Sequence, residues 1–163
     1  MTAERQKHHL LLPEIGGQGQ QALAGSRVLV IGAGGLGCPI LSYLAGAGIG
    51  ELTLCDGDTV ELSNLQRQTL YTEADIGKPK ATVAAQRLRA LNGEITITAV
   101  DDMFTEDNAQ ELLNGVDLVI EGVDRFAGRH LINRACLRAS KPLLSAAAAR
   151  LEGQVALFRP GAK

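Results

Sequence analysis

The chain has 163 residues, enough for one domain with its own core, and 45% of them are hydrophobic against 21% charged, which excludes a disordered polypeptide. A formal net charge of −2 argues against nucleic-acid and membrane partners, and the apolar runs are too short to span a bilayer. Residues 1–9 are polar and basic, so no secretory leader is expected, and the three scattered cysteines, Cys38, Cys55 and Cys136, read as buried free thiols of a reducing cytoplasm rather than as a metal site.

Residues 1–12 begin polar and end in Leu10, Leu11 and Leu12, an arm that leads into a turn at residues 13–17. Residues 18–24 suit a short helix closed by Gly25. Arm and helix, residues 1–25, thus precede the main domain, residues 26–163. Residues 28–31 form a continuous apolar run, as expected of a strand buried on both faces. Gly32, Gly34 and Gly37 then give G-x-G-x-x-G, with an extra glycine at Gly35. Beyond them Leu36, Ile40, Leu41 and Leu44 recur at helical spacing up to Gly46 and Gly48. The glycines therefore sit where a strand turns into a helix. Backbone N–H groups and the positive end of the helix dipole suit a phosphate there, and a side chain at Gly34 or Gly35 would hold it away.

Residues 51–55 read as the second strand, ending in Asp56-Gly57-Asp58. Asp56 stands at the strand tip about twenty residues past the glycines, where an acid accepts hydrogen bonds from a ribose. Residues 59–72 are irregular and carry Ser63, Asn64, Arg67 and Gln68. Residues 75–80 open a helix that runs to about residue 91, with Pro79 in its first turn, and Asn92-Gly93 ends it. Residues 95–100 alternate as a strand, and residues 105–113 read as a helix capped by Thr105. Residues 117–120 form another buried strand, with Glu121-Gly122-Val123-Asp124 as its exit. Residues 125–140 suit a helix with Phe126, Leu131, Ala135 and Leu137 on apolar positions. A short strand at residues 141–145, an uninformative alanine run at 146–149 and a last strand at 153–158 complete the chain. Strands alternating with helices predict a Rossmann-like α/β fold, a mostly parallel sheet with helices on both faces.

The glycine loop and Asp56 suit NAD as well as ATP. Arg67, Lys80 and Asp124 separate the two, because all three are expected at the same sheet edge. Three phosphates ask for Arg, Lys and Mg²⁺, and Mg²⁺ asks for a carboxylate, often through water. The nicotinamide half of a dinucleotide has little use for that set. The chain lacks the P-loop motif and shows neither a Ser–His–Asp nor a Cys–His set. A reaction without an enzyme nucleophile fits these residues, in which a substrate carboxylate attacks the α-phosphate of ATP and pyrophosphate leaves.

Leu-Leu-Leu-Pro-Glu-Ile-Gly16, the run from Ser26 to Gly37, Cys-Asp-Gly-Asp-Thr-Val-Glu-Leu-Ser-Asn-Leu-Gln-Arg-Gln68, Ile-Gly-Lys-Pro-Lys80 and Arg-Leu-Glu-Gly-Gln154 carry a resemblance that covers nearly the whole chain. The sequence resembles the MoeB/ThiF family, bacterial relatives of ubiquitin-activating enzymes. The resemblance implies ATP- and Mg²⁺-dependent adenylation of the C-terminal glycine of a ubiquitin-like sulfur carrier, in molybdopterin or thiamine biosynthesis, by a homodimer. It matches Gly35 to a phosphate-loop glycine and Asp56 to the ribose acid. It matches Asn64, Arg67 and Lys80 to phosphate contacts and Asp124 to the catalytic, magnesium-linked acid. Gly32, Gly34, Gly37, Asp58, Ser63 and Gln68 complete the expected nucleotide site.

Three departures accompany the match. His8-His9 stands where the family carries Arg-Gln, whose arginine reaches the partner's ATP. Arg125 stands where Asn usually follows the acid. The family continues beyond the equivalent of Lys163 with C-x-x-C zinc pairs, so Zn²⁺ is expected only in a longer chain. The 163 residues are accordingly expected to bind ATP without turning it over. A non-catalytic nucleotide-binding or dimerisation module and an NAD-binding oxidoreductase domain are the alternatives.

Overall fold

The apolar runs become the strands of one six-stranded sheet in the computed structural model, which describes residues 4–161. These are β1 (Arg27–Ile31), β2 (Glu51–Cys55), β3 (Thr96–Val100), β4 (Leu118–Glu121), β5 (Leu143–Ala149) and β6 (Glu152–Phe158). Their order is β3-β2-β1-β4-β5-β6, all parallel except β6, which returns antiparallel along β5. The chain winds one way from β1 to β3 and the other way from β4. The crevice at the carboxyl ends of β1 and β4 is therefore the switch point at which such sheets bind ligands.

Six α-helices are present among the described residues, two before β1 and four between strands: α1 (Lys7–Leu11), α2 (Gly16–Gly25), α3 (Gly37–Ala47), α4 (Lys80–Leu91), α5 (Glu106–Leu113) and α6 (Phe126–Arg138). Successive side chains of β1 point to opposite faces. Val28 and Val30 pack with Leu41, Ala45, Ala84 and Leu88 of α3 and α4. Leu29 and Ile31 pack with Ala109, Leu113, Ile132 and Cys136 of α5 and α6. A strand covered on both sides needs apolar residues at consecutive positions, and residues 28–31 supply them, each worth about 1.5–3 kcal/mol when fully buried.

Several details differ from the sequence expectation. The arm contains a helix that was not expected: residues 7–11 form α1, and residues in and beside it make long-range bonds. Gln6 Nε2 donates to the carbonyl of Gly46, and His9 Nδ1 lies 2.8 Å from Gln20 Oε1. Pro79 precedes α4 in an extended conformation (ψ 131°) rather than occupying its first turn. On α6, Phe126 and Leu137 are exposed, and the buried positions are Ile132 and Cys136, one helical turn apart. β5 continues through the alanine run because Ala146 to Ala149 pair with Val155 to Glu152 of β6. That pairing is made by backbone groups and leaves no side-chain pattern to read.

Thr105 caps α5 by accepting from the N–H of Asn108, as its position predicted. The three cysteines are buried and free. Among the described residues no helix is long and apolar enough to cross a membrane. The expectations for residues 1–3 and 162–163, the two ends of the arm and of the main domain, lie outside the described residues.

Candidate functional site

The loop between β1 and α3 is built around a pinned peptide. Gly32 leaves the strand with φ 93°, a left-handed conformation that favours glycine. A Cβ on Gly37 would land on the carbonyl of Gly32, so the tight turn into α3 tolerates no side chain there. Between these two, Ala33 is held at both ends. Its N–H donates to Asp56 Oδ2 at 2.7 Å, and its carbonyl accepts from the Tyr71 hydroxyl at 2.8 Å and from Cys38 Sγ at 3.4 Å. The loop is thereby fastened to the tip of β2.

Asp56 is buried, and its second oxygen accepts from the N–H of Asp58 at 2.8 Å. Burial pushes its carboxyl above the usual range, while the two N–H groups and the Lys80 ammonium pull it back. Each carboxylate oxygen keeps a further lone pair, which a hydroxyl donor can use. Tyr71 is forced in the same direction, its phenol held well above the ordinary value by burial, so it serves as a neutral donor.

The amide groups of Gly34, Gly35 and Leu36 meet no acceptor among the described residues. They lie at the N-terminus of α3, where such donors suit an anion. Two side chains from the segment after β2 lie against Gly34 and Gly35. Arg67 lies across Gly35, so close that a Cβ there would sit 3.2 Å from Arg67 Cδ, and its guanidinium also donates to the carbonyl of Ser63 at 3.4 Å. Gln68 lies beside Gly34, with Nε2 3.6 Å from where a Cβ would be. Gln68 is buried, and its Oε1 has no hydrogen-bond partner among the described residues. Ser63 and Asn64 occupy a 3-10 turn (Leu62–Asn64), where Asn64 Nδ2 donates to Ser63 Oγ.

Lys80, the first residue of α4, is buried, and its Nζ is 3.1 Å from Asp58 Oδ2. Asp58, expected at the nucleotide, thus holds the lysine expected at the phosphates. Asp124 follows β4 on the far side of the switch point; it is exposed and has no side-chain partner among the described residues. Its backbone neighbours nevertheless touch the glycine loop, because a Cβ on Gly32 would meet Val123 Cγ1 at 3.3 Å. The structure therefore brings the glycines, Asp56, Arg67 and Gln68 together, ties Lys80 to them through Asp58, and sets Asp124 opposite. Among the described residues no three His, Cys, Asp or Glu side chains cluster as for a metal ion.

Sequence reasoning missed Tyr71 and Cys38, which fix Ala33 from below, and Glu121 and Arg129, which fix the loop bearing Asp124. Only the proximity of Tyr71 to Gln68 in the chain hinted at its part. A shallow concavity between the C-terminal ends of α5 and α6 lies at the opposite edge of the sheet, where Lys141 Nζ is engaged by the carbonyl of Val116. Nothing connects it with the glycine loop.

The ThiF family model matches residues 6–163. The chain belongs to the ThiF family. It is similar to a sulfur carrier protein adenylyltransferase of Thermus thermophilus, 44% identical over 155 residues that make up 95% of this chain and 57% of that one. It is also similar to a molybdopterin-synthase adenylyltransferase of Salmonella typhimurium, 46% identical over 154 residues, 94% of this chain and 62% of the relative. Among solved structures it resembles the E. coli tRNA N6-threonylcarbamoyladenosine dehydratase TcdA in complex with AMP, at TM-score 0.82 and 33% identity, over 88% of this chain and 58% of that one. This ThiF-family chain spans less than two thirds of the length of each of these proteins.

Proposed function

We propose that these 163 residues are the nucleotide-binding part, residues 26–163 with an arm at 1–25, of an adenylyltransferase acting on a ubiquitin-like sulfur carrier. The observation that carries this reading is the set of three backbone N–H groups at Gly34, Gly35 and Leu36 that meet no acceptor among the described residues, with Arg67 and Gln68 against the two glycines. ATP fits that cradle. Its phosphates meet the N–H groups and Arg67, and its ribose hydroxyls meet Asp56. Lys80 meets the phosphates by leaving Asp58. A carboxylate oxygen of the carrier's C-terminal glycine attacks the α-phosphorus. The new O–P bond forms as the bond to the β-phosphate oxygen breaks, and pyrophosphate takes that electron pair. The chain positions the reactants and offsets their charge and supplies no nucleophile.

Asp124, on the far side of the switch point, is exposed and has no side-chain partner among the described residues, so it suits a Mg²⁺ ion that arrives with the nucleotide and takes most of its ligands from phosphate and water. When bound, the ion withdraws charge from the phosphates. A homodimer that brings the arm of one subunit to the other's ATP completes the proposal; His8 then lies where relatives carry arginine. A cytoplasmic location is proposed with it. The alternative of a nucleotide-binding module without turnover is favoured by Arg125, an exposed cation directly beside Asp124.

Replacing Arg67 or Lys80 by Ala tests the placement. Each change should weaken ATP more than AMP, because AMP lacks the β- and γ-phosphates. Calorimetry showing equal losses for both nucleotides would place the cations elsewhere.

A further inference from the structure

Asp124 is exposed, yet the residue before it is held at both its N–H and its carbonyl. Glu121, the last residue of β4, is 1% exposed. Its Oε2 accepts from the N–H of Val123 at 3.1 Å, and its Oε1 accepts from the hydroxyl of Ser145 on β5. No Lys or Arg pairs with it among the described residues. The other end of the Val123 residue is held just as firmly. Arg129 of α6 donates to the Val123 carbonyl through Nε at 2.9 Å and Nη2 at 2.8 Å, and Nη2 also lies 3.3 Å from the carbonyl of Ala146. The side chain of Val123 is wedged between two glycines, since a Cβ on Gly32 or Gly128 would meet its methyls at 3.3 and 3.5 Å. On the preceding residue, a Cβ on Gly122 would press on Leu36 at 3.1 Å.

We propose that Glu121 and Arg129 are positioning residues that lock Val123 and so set Asp124 at a fixed distance from the glycine loop. A buried carboxylate with no cation partner is costly to keep unless its hydrogen bonds do something a neutral apolar residue could not. Here they hold an N–H that points away from the strand ladder. The guanidinium fork holds the matching carbonyl in a fixed plane, which a lysine cannot do. Both residues also bond to β5, through Ser145 and Ala146, so the loop is registered to that strand as well as to β1. The inference rests on the proposed nucleotide site for its effect on magnesium, and on geometry alone for its effect on the loop.

Two measurements on the 163-residue chain test it. The first is amide hydrogen exchange at Val123. Glu121→Ala and Arg129→Ala should accelerate it by about tenfold or more while leaving β1 and α3 protected. Glu121→Gln should stay close to the parent, because its amide oxygen can accept from Val123 and its amide nitrogen can donate to Ser145. The second is the ratio of ATP affinities with and without Mg²⁺. Both Ala variants should reduce that ratio by at least about fivefold with metal-free affinity unchanged, as Asp124→Asn should. Glu121→Gln should restore it.

Unaltered exchange in both Ala variants would overturn the lock. Faster exchange with an intact Mg²⁺ effect, while Asp124→Asn loses that effect, would overturn its role in positioning. An intact Mg²⁺ effect in Asp124→Asn itself would instead overturn the assignment of Asp124, and with it the functional half of this inference. Should the Ala variants fail to fold, Arg129→Lys applies the same test, since it keeps the charge and loses the fork.

Discussion

Asp56 does two jobs with one carboxylate. It fixes the glycine loop through Ala33 and Asp58, and it faces the side where a ribose is expected. Removing it should therefore show in both stability and binding. A hydrogen bond to a charged group contributes about 1.5–3 kcal/mol, so Asp56→Ala should weaken ATP at least about tenfold. Asp56→Asn is the informative companion. Its single carbonyl oxygen can replace only one of the two acceptors, so it should fall between the parent and Asp56→Ala. Unchanged ATP affinity of Asp56→Ala by calorimetry would remove Asp56 from the site. That an acid stands at this strand tip, at the spacing expected of a ribose acceptor, was legible in the sequence. That it holds the loop by its backbone was not, because a sequence records the donor-free carboxylate but not which N–H turns towards it.

At the scale of elements, the join between the segment after β2 and α4 depends on Asp75, which is 5% exposed. It accepts from the Thr72 hydroxyl at 2.8 Å and the Thr72 N–H at 3.0 Å, and it pairs with Arg87 at 3.1 Å and Lys78 at 3.2 Å. The Thr72 hydroxyl, followed by these other donors, holds its carboxyl well below the usual carboxylate range against the opposing effect of burial. The folded form thus binds the proton more weakly than the unfolded chain does. The stabilisation is complete above the unfolded value of about 4 and is lost as pH falls below it towards the depressed folded value. Asp75→Asn should consequently melt below the parent at pH 7 by the equivalent of about 2 kcal/mol. The two curves should converge as the buffer is taken below about pH 4. A gap in Tm that stays constant down to acid would show that the charge on Asp75 is not its source.

Other elements differ in how far the sequence discloses them. β1 and β4 were legible because a strand covered on both faces must be apolar at consecutive positions. α1 was not, because its place depends on Gln6 reaching the carbonyl of Gly46 and His9 reaching Gln20, contacts between residues far apart in the chain. The carbonyls at the end of α3 show the same thing. Ala45 accepts from Asn92, Gly46 from Gln6 and Ala47 from Gln20, three amides from three segments that no local pattern connects. Phe126 was placed inward by periodicity, yet it stands outside beneath the guanidinium of Arg129, 6.0 Å from its ring centre. That arginine turns inward instead, to the Val123 carbonyl.

For the molecule as a whole, the proposed site is divided between two halves of one sheet. Gly32 to Gly37, Asp56, Arg67, Gln68 and Lys80 belong to the half that runs from β1 to β3, and Asp124 leaves the half that begins with β4. A ligand that touches both should raise the stability of the whole domain, because neither half keeps its edge if the other unfolds. A ligand at a hundred times its Kd contributes about 2.7 kcal/mol, and each kcal/mol moves Tm by about 2–4 °C in a domain of this size. Saturating ATP with Mg²⁺ should thus raise Tm by about 5–11 °C. NAD offers two phosphates and a nicotinamide ring that Arg67, Lys80 and Asp124 do not match, and it should shift Tm little. The shift with ATP should shrink in Asp56→Ala and in Arg67→Ala alike. A larger shift with NAD than with ATP would reverse the assignment of the nucleotide and turn the three charged residues into bystanders of a dinucleotide site.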